Sequence, residues 1–439
     1  MLSTHGPEVR LTVQGHRAFL PVVTAAVEKA SLAFGMDEPE SLALTLATEE
    51  IFAYLCSSHP GESPIEIRCT RGPYYVQEEV LFRDRELSMR AFNLTACPVL
   101  DEAGVCEETG LLIASRMVDQ FRMARDEAGF HLTLIKEKSY PVFGASVVEA
   151  PRLEKYSVRA PDPEEIKLLV RLTHHYHPTL LLPPAFSFPG KVVDMAAGGH
   201  ICALVAADSA AHVGGGIFWR EAGSGMIELF GPYLFDQRPD SGIGSALVDG
   251  CIGAIARTDA TGLLCRYPSP DLPSEYFEDL GNLSYREKDG TDVEVGAYFR
   301  LLHEDPGSMV WTHPSLESFL AREYRRLVLA REVRVATWEG EAASPFSVLL
   351  AEFDRSRGHV TLRPVWWGDD SEDTVRGYVD ILTKEGIPGV FFEMDLGRPW
   401  HGHFTPALLR NGFEPRLLLP YGGRGDVVVF QHMPDRPLP

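Results

Sequence analysis

The sequence predicts a multidomain α/β protein of the α+β kind: a two-layer α/β sandwich followed by two mixed-sheet α/β segments. Three observations carry this. At 439 residues the chain exceeds what one hydrophobic core usually serves, so two to three domains of roughly 130–150 residues are expected. Apolar residues make up 45% and charged residues 23%, an ordinary globular composition that sets aside disordered and collagen-like readings. Segments with strand alternation and segments with helical spacing interleave along the chain, and the pattern restarts near residue 155 and again near 318.

In the first segment, 8–138, VRLTVQG alternates as a short strand, and residues 17–33 and 38–57 carry apolar side chains at helical spacing. PIEIRCT, VQEEVLFRD and GFHLTLIKEK read as strands, with a helix at 109–118 between the latter two. A linker without clear periodicity occupies 139–154. The second segment, 155–302, opens with the strand YSVRA, and PDPEE marks the start of a helix through IKLLVRLTHHYH. After a proline-rich loop come strands HICALVAA, HVGGGIFWR and MIELFGPYLF, a glycine turn, a helix over 243–257, strand GLLCRY, a helix PSEYFEDLG and a final strand pair. The third segment, 318–433, repeats that order: strands EVRVATW, FSVLLAEF and HVTLRPVWW, a helix through EDTVRGYVDILTKEG, strand GVFFEMDL, helix FTPALLRNG and terminal strands. Val248-Asp249 and Val379-Asp380 stand 131 positions apart, as do Gly281 and Gly412, the signature of a duplicated unit.

Charge and cysteine usage narrow the function classes. With 41 Lys+Arg against 62 Asp+Glu the formal net charge is −21, which opposes the basic face that gripping nucleic acid requires. The 7 cysteines form no C-x-x-C pair and sit in apolar segments, as reduced core residues do, so no disulfide frame and no zinc site are expected. The pair His401 and His403 lacks further ligands at metal spacing and reads as a loop. No apolar run approaches the roughly 18 residues of a membrane span, and the N-terminus carries no signal-peptide pattern. A cytoplasmic protein with neither nucleic-acid nor membrane partners is expected.

The stretch RPDSGIGSALVDG, 238–250, is the first chemical candidate. A glycine-rich turn between a strand and a helix gathers unpaired backbone N–H groups where the helix dipole adds partial positive charge, an anion site that needs no basic side chain. Ser241, Gly242, Ile243, Gly244 and Ser245 would supply the donors, and on the residues alone a bland strand-to-helix turn stands beside that reading.

From YSVRAPDPEEIKLLVRL through IELFGPYLFDQRPDSGIGSALVDGCIGAIA to GLLCRYPSPDLPSEYFEDLGN, the second segment resembles the GNAT family of N-acetyltransferases, and the third resembles a degenerate second copy. The resemblance implies an acyl-CoA-binding domain. Its Q/R-x-x-G-x-G/A signature follows the fourth strand, opens a helix and binds the pyrophosphate of acetyl-CoA; here it falls on Pro239 to Gly244, with Arg238 just before the first position. It further implies attack of an amine on the thioester, with a base on the fourth strand, here Glu228, and a tyrosine that protonates the leaving thiolate. The family's tyrosine position holds Phe277, with Tyr276 one before it. Apart from the resemblance, Glu228 reads as a solvated strand carboxylate. The third segment has WWGDDSED where the glycine turn should stand. Its carboxylates would repel a pyrophosphate, which leaves that copy to complete a sheet, shape the acceptor pocket or mediate a homodimer. HHYH at 174–177 reads as a helix end whose imidazoles meet the dipole's negative pole or the acceptor.

In the first segment LALTLATEEIFAYLCSSH, FRD and TGLLIASRMVDQFRM resemble the histidine-kinase-like ATPase fold in its anti-sigma-factor kinase branch. That family's E-x-x-x-N falls on Glu50 and Tyr54, so the magnesium-holding Asn is missing. Its adenine box keeps Asp84 without glycines, and its phosphate box is reduced to Gly110 and its neighbours. ATP is therefore not expected as a cofactor, and residues 8–138 are read as a regulatory module for a protein partner. Two functions remain open at this stage. One is acetyl transfer from acetyl-CoA, or another acyl-CoA, to a small amine or protein lysine. The other is a non-catalytic regulator or acyl-CoA sensor in an anti-sigma-factor-like partner-switching system.

Overall fold

A computed structural model describes residues 6–58, 63–83, 93, 114–126, 129–142, 149–223, 225–238, 240–286, 290–337, 344–354 and 357–433. It bears out the mixed α/β class. The chain divides into two compact units, residues 1–140 with 346–350, and 141–345 with 351–439.

The first unit contains β1 (Glu8–Gln14), α1 (Leu20–Ala33), α2 (Glu38–Ser58), β2 (Pro64–Arg71), β3 (Tyr75–Phe82), β4 (Gln120–Asp126) and β5 (Gly129–Glu137). The sheet runs β1-β2-β3-β5-β4 with every neighbouring pair antiparallel. Helix α2 begins where Asp37 and Glu40 cap each other's backbone: Glu40 N donates to Asp37 Oδ1 at 3.0 Å, and Asp37 N to Glu40 Oε2 at 2.9 Å. Alternation on β2 and β3 buries Ile65, Ile67, Cys69, Val76, Val80 and Phe82, in one core with Val23, Val27, Leu44, Ile51 and Phe52 of the helices. Strand β4 was not foreseen in QFRMARD, whose Phe121 and Met123 pack only partly against the core, as an edge strand allows. Of the helix expected over 109–118, residues 109–113 lie outside the described residues and 114–117 are helical.

The second unit opens with β6 (Ser157–Arg159), α3 (Pro163–Tyr176), α4 (Pro189–Ala197), β7 (Cys202–Ala207), β8 (Val213–Glu221), β9 (Met226–Leu234), α5 (Ile243–Ile255), β10 (Gly262–Cys265), β11 (Glu278–Arg286) and β12 (Asp292–Leu301). Its seven-stranded sheet runs β11-β12-β10-β9-β8-β7-β6. Helix α3 has the capping box that PDPEE announces, Asp162 with Glu165. Two readings are corrected here. The proline-rich stretch PTLLLPPAFSFPG, expected to be all loop, carries two 3-10 turns, Thr179–Leu181 and Pro184–Ser187, and its last two residues open α4, which Pro189 starts at its first turn. PSEYFEDLG is not a helix: one 3-10 turn, Ser274–Tyr276, precedes β11, because Glu278 onward finds an antiparallel partner in β12. A bulge between Asp279 and Gly281, with Gly281 at φ +107°, lets that strand bend.

β13 (Ser308–Thr312), α6 (Glu317–Arg326), β14 (Arg331–Val335), β15 (Val348–Asp354), β16 (His359–Trp366), α7 (Ser371–Lys384), β17 (Gly389–Asp395), α8 (Thr405–Arg410), β18 (Phe413–Leu419) and β19 (Val427–His432) follow. β13 and β14 form a small parallel pair, and the rest a sheet ordered β15-β16-β17-β19-β18. Helices α5 and α7 occupy matching places. Each joins two parallel neighbours, β9 to β10 and β16 to β17, so the Val-Asp pairs fall on corresponding helices. Gly281 and Gly412 do not correspond: the first lies inside β11, the second between α8 and β18. The two halves meet along β11 and β18. There Gln431 bonds the Ser284 backbone twice, accepting from its N at 3.1 Å and donating to its O at 2.6 Å.

Candidate functional site

β9 is the fourth strand of the second segment and leads through a turn into α5, the order the family signature requires. β9 and β10 pair in parallel only from Met226–Gly262 to Glu228–Leu264, after which they part. β9 continues to Leu234, so the turn and the N-terminus of α5 stand at the open, carboxyl-end side of two diverging strands. Ligands of open α/β sheets bind at such a place.

Gly242 caps α5 at φ +70°, a left-handed geometry that favours glycine, and no side chain caps the helix end. Ser241 N closes the preceding turn on Arg238 O at 3.0 Å, and Ser241 Oγ accepts only a long bond of 3.4 Å from Ile243 N. Ile243 and Gly244 are buried, Ser241 and Ser245 half-buried, and Gly242 and Arg238 exposed. Pro239 lies outside the described residues. Gln237 is committed to the preceding segment, accepting from Leu153 N at 2.9 Å and donating to Pro151 O at 3.0 Å. Arg238, exposed, stands just before the turn, and Arg152 pairs with Asp236 at 3.0 Å on its approach.

Glu228 does not face open solvent. Its side chain is 2% exposed and each oxygen takes a guanidinium: Arg220 Nη2 on Oε2 at 2.7 Å, Arg266 Nη2 on Oε1 at 2.8 Å. Burial alone would raise its pKa, but the charges of Arg266 and Arg220 reverse that and hold it at about 2. The pairing continues through Arg266 to Glu393 on β17 at 3.4 Å and from Glu393 to Arg363 at 2.7 Å. It borders a cavity of about 220 Å³ lined by Met226, Leu264, Leu419 and Val427 as well as these charges. Arg266 and Glu393 each stand four residues past the glycine that opens their strand, Gly262 and Gly389. Corresponding positions of the two halves thus pair with each other. A carboxylate held this strongly ionised and doubly bonded is a poor proton acceptor.

Tyr276 ends the 3-10 turn, with its ring 5.4 Å from the Arg300 guanidinium and its carbonyl accepting from Arg300 Nη1 at 3.2 Å. Phe277 is extended and starts the path into β11. In place of the helix expected to present one or the other, the 3-10 turn carries Tyr276 and Phe277 is extended.

Ser269 and Asp271, to which no role was assigned in the sequence, fill the space between the parting strands together with His177 of the HHYH stretch. Asp271 Oδ2 accepts from Leu234 N at 2.9 Å, and the buried Ser269 hydroxyl donates to Pro232 O. His177, at the end of α3, donates its Nε2–H to Leu234 O at 3.1 Å and lies 3.6 Å from Asp271. Burial pushes the His177 pKa down, which favours the neutral ring. A Cβ on Gly244 would stand 3.1 Å from Asp271 O, so the second glycine admits the chain's own loop. The visible signal is SPDLP, a Ser-Pro-Asp turn pattern that lies between the expected strand GLLCRY and the expected helix PSEYFEDLG.

In the first unit Glu50 is half-buried on α2, and Tyr54, at the missing Asn position, is buried in the core. Asp84 and Gly110 lie outside the described residues. His401 is buried and its Nδ1 accepts from Asp395 N at 3.1 Å, the place of a structural histidine. Among the described residues no group of three His, Cys, Asp or Glu side chains could hold a metal ion, and no described helix is long and apolar enough to cross a membrane.

No family model and no curated protein matches the chain. Solved structures do. A GNAT-superfamily phosphinothricin acetyltransferase from Sinorhizobium meliloti, in complex with AcCoA, is 16% identical over 34% of this chain and 89% of its own, with a TM-score of 0.29. A GNAT-family acetyltransferase from Staphylococcus aureus Mu50 is 11% identical over 34% of this chain and 100% of its own, TM-score 0.26. The RsbU and RsbW domains of a Mycobacterium tuberculosis protein are 15% identical over 31% of this chain and 33% of that one, TM-score 0.23. The likeness in each case is one of fold.

Proposed function

We propose that the second unit is an acyl-CoA-responsive regulatory module, with the ligand's diphosphate on Ser241–Ser245, and that it does not transfer the acyl group. The observation that carries the second half of this reading is the double guanidinium lock on Glu228. The cradle half is supported by an uncapped helix N-terminus at the open end of two diverging parallel strands. Acetyl-CoA should raise the melting temperature of the full chain and release no thiol over a panel of amines. Ser245→Glu places a carboxylate in the first turn of α5, where the helix itself tolerates it; it should weaken acetyl-CoA binding at least tenfold while leaving the unliganded chain as stable as before. Amine-dependent thiol release would overturn the non-catalytic reading. Equal binding by Ser245→Glu would overturn the cradle.

The first unit fits a module for protein contacts. Tyr54 fills core space at the position where the resemblance implies a magnesium ligand. Calorimetric titration of the full chain with Mg-ATP should therefore show no binding, and micromolar affinity would sink this assignment.

A further inference from the structure

We propose that residues 267–273 are a built-in strap across the crevice between β9 and β10, and that a ligand's chain enters only when Asp271 and Ser269 release β9. This rests on reading Ser241–Ser245 as the diphosphate cradle. A strand that loses its neighbour leaves N–H and C=O groups along that edge without ladder partners. On β9 this happens after Glu228. Pro232 O and Leu234 N point to the same edge, two residues apart, as groups awaiting a partner strand do. Asp271 supplies an acceptor to the N–H and Ser269 a donor to the C=O. Two side chains thus imitate one rung of a ladder.

The strap is also folded on itself: Leu272 N donates to Ser269 O at 3.1 Å and Asp271 N to Ser269 Oγ at 3.2 Å. Its Asp271 carbonyl rests against Gly244, so it touches both the crevice and the first turn of α5. The occupant it excludes is defined by the same chemistry: a narrow, flexible chain with an amide acceptor and an amide donor, attached to a diphosphate. The pantetheine arm of a coenzyme A thioester has those groups. A nucleoside diphosphate alone needs only the cradle.

That difference supplies the test. The full chain and its Ser269→Ala/Asp271→Ala variant are titrated by calorimetry with ADP and with coenzyme A. ADP should bind both chains equally. Coenzyme A should bind the variant at least tenfold more tightly than wild type, whereas Asp271→Asn, which keeps an acceptor for Leu234 N, should bind as wild type does. Equal coenzyme A affinity in wild type and double variant overturns the strap even where ADP binds. Failure of both ligands on every chain overturns the cradle reading and the strap with it. Hydrogen exchange on wild type decides the matter should the variant fold poorly: saturating coenzyme A should speed exchange of the 269–272 amides, and unchanged protection with ligand bound overturns the proposal.

Discussion

Glu228→Ala is expected to destabilise the second unit by about 3 kcal/mol, because it strands Arg220 beside a sheet and takes from Arg266 the nearer of its two carboxylates. This is the low end for breaking a buried pair, since the side chains of Arg220 and Arg266 are 44% and 31% exposed and water relieves part of the loss. All 6 tryptophans fall at or after Trp219, so intrinsic fluorescence in urea follows this unit without interference from the first. Adding Arg220→Met should recover part of the loss, because Arg220 loses the carboxylate it pairs with whereas Arg266 keeps Glu393 at 3.4 Å. The pH dependence has a defined sign. A pKa lowered from 4.5 to about 2 contributes stability that is present above pH 4.5 and lost as pH falls through about 2, on the order of 3 kcal/mol in all. Glu228→Gln should flatten that acid limb. A loss below about 0.5 kcal/mol for the alanine variant would show that the network does not hold the two halves together. A catalytic base would behave oppositely, losing turnover and keeping stability.

Strands were legible wherever apolar residues alternated, as in β3, or ran on continuously, as in β9 and β17. VQEEVLF, IELFGPYL and GVFFEMD all announced buried strands, and DPEE announced its helix through the cap. The failures share a physical cause. FEDLGNLSYR has helix-compatible spacing, but β12 offers it a ladder and wins, since pairing is decided by a partner far along the chain. QFRMARD was missed because an edge strand needs little apolar content. At the site, the strand–turn–helix order could be read in advance, since it depends on glycines with a backbone reason to be there. The fate of Glu228 could not. Whether a strand carboxylate acts as a base or as an ion-pair partner depends on Arg220, eight residues away, on Arg266 just past β10 and on Glu393 in β17, which no local spacing reveals. The strap was hidden for a related reason: SPDLP says turn, but not which strand edge the turn will cover.

In the first unit, raising the pH from 5 to 8 is expected to cost about 2–3 kcal/mol, and Glu78→Gln should remove most of that cost. Glu78 lies on β3 with its side chain in the core and no solvent exposure. Burial pushes its pKa up to about 7, against the smaller opposing effect of the Thr48 hydrogen bond. Hydrogen-bond accounting points the same way. Thr48 Oγ1 lies 2.8 Å from Leu44 O, its own helix's carbonyl, and 2.6 Å from Glu78 Oε2. The hydroxyl has one proton, and giving it to Leu44 leaves Glu78 to donate from a protonated carboxyl. Cys69, paired directly across on β2, adds no charge, because burial first and Glu78 second keep its thiol protonated. With the folded pKa above the unfolded one, stability is complete below about pH 4.5 and falls until the folded group ionises near 7. Hydrogen exchange of the β3 and β5 amides reads this unit specifically. Wild type should lose protection between pH 5 and 8, after correction for intrinsic rates, and Glu78→Gln should not. A flat wild-type profile would mean that Glu78 is already ionised and paired at pH 5.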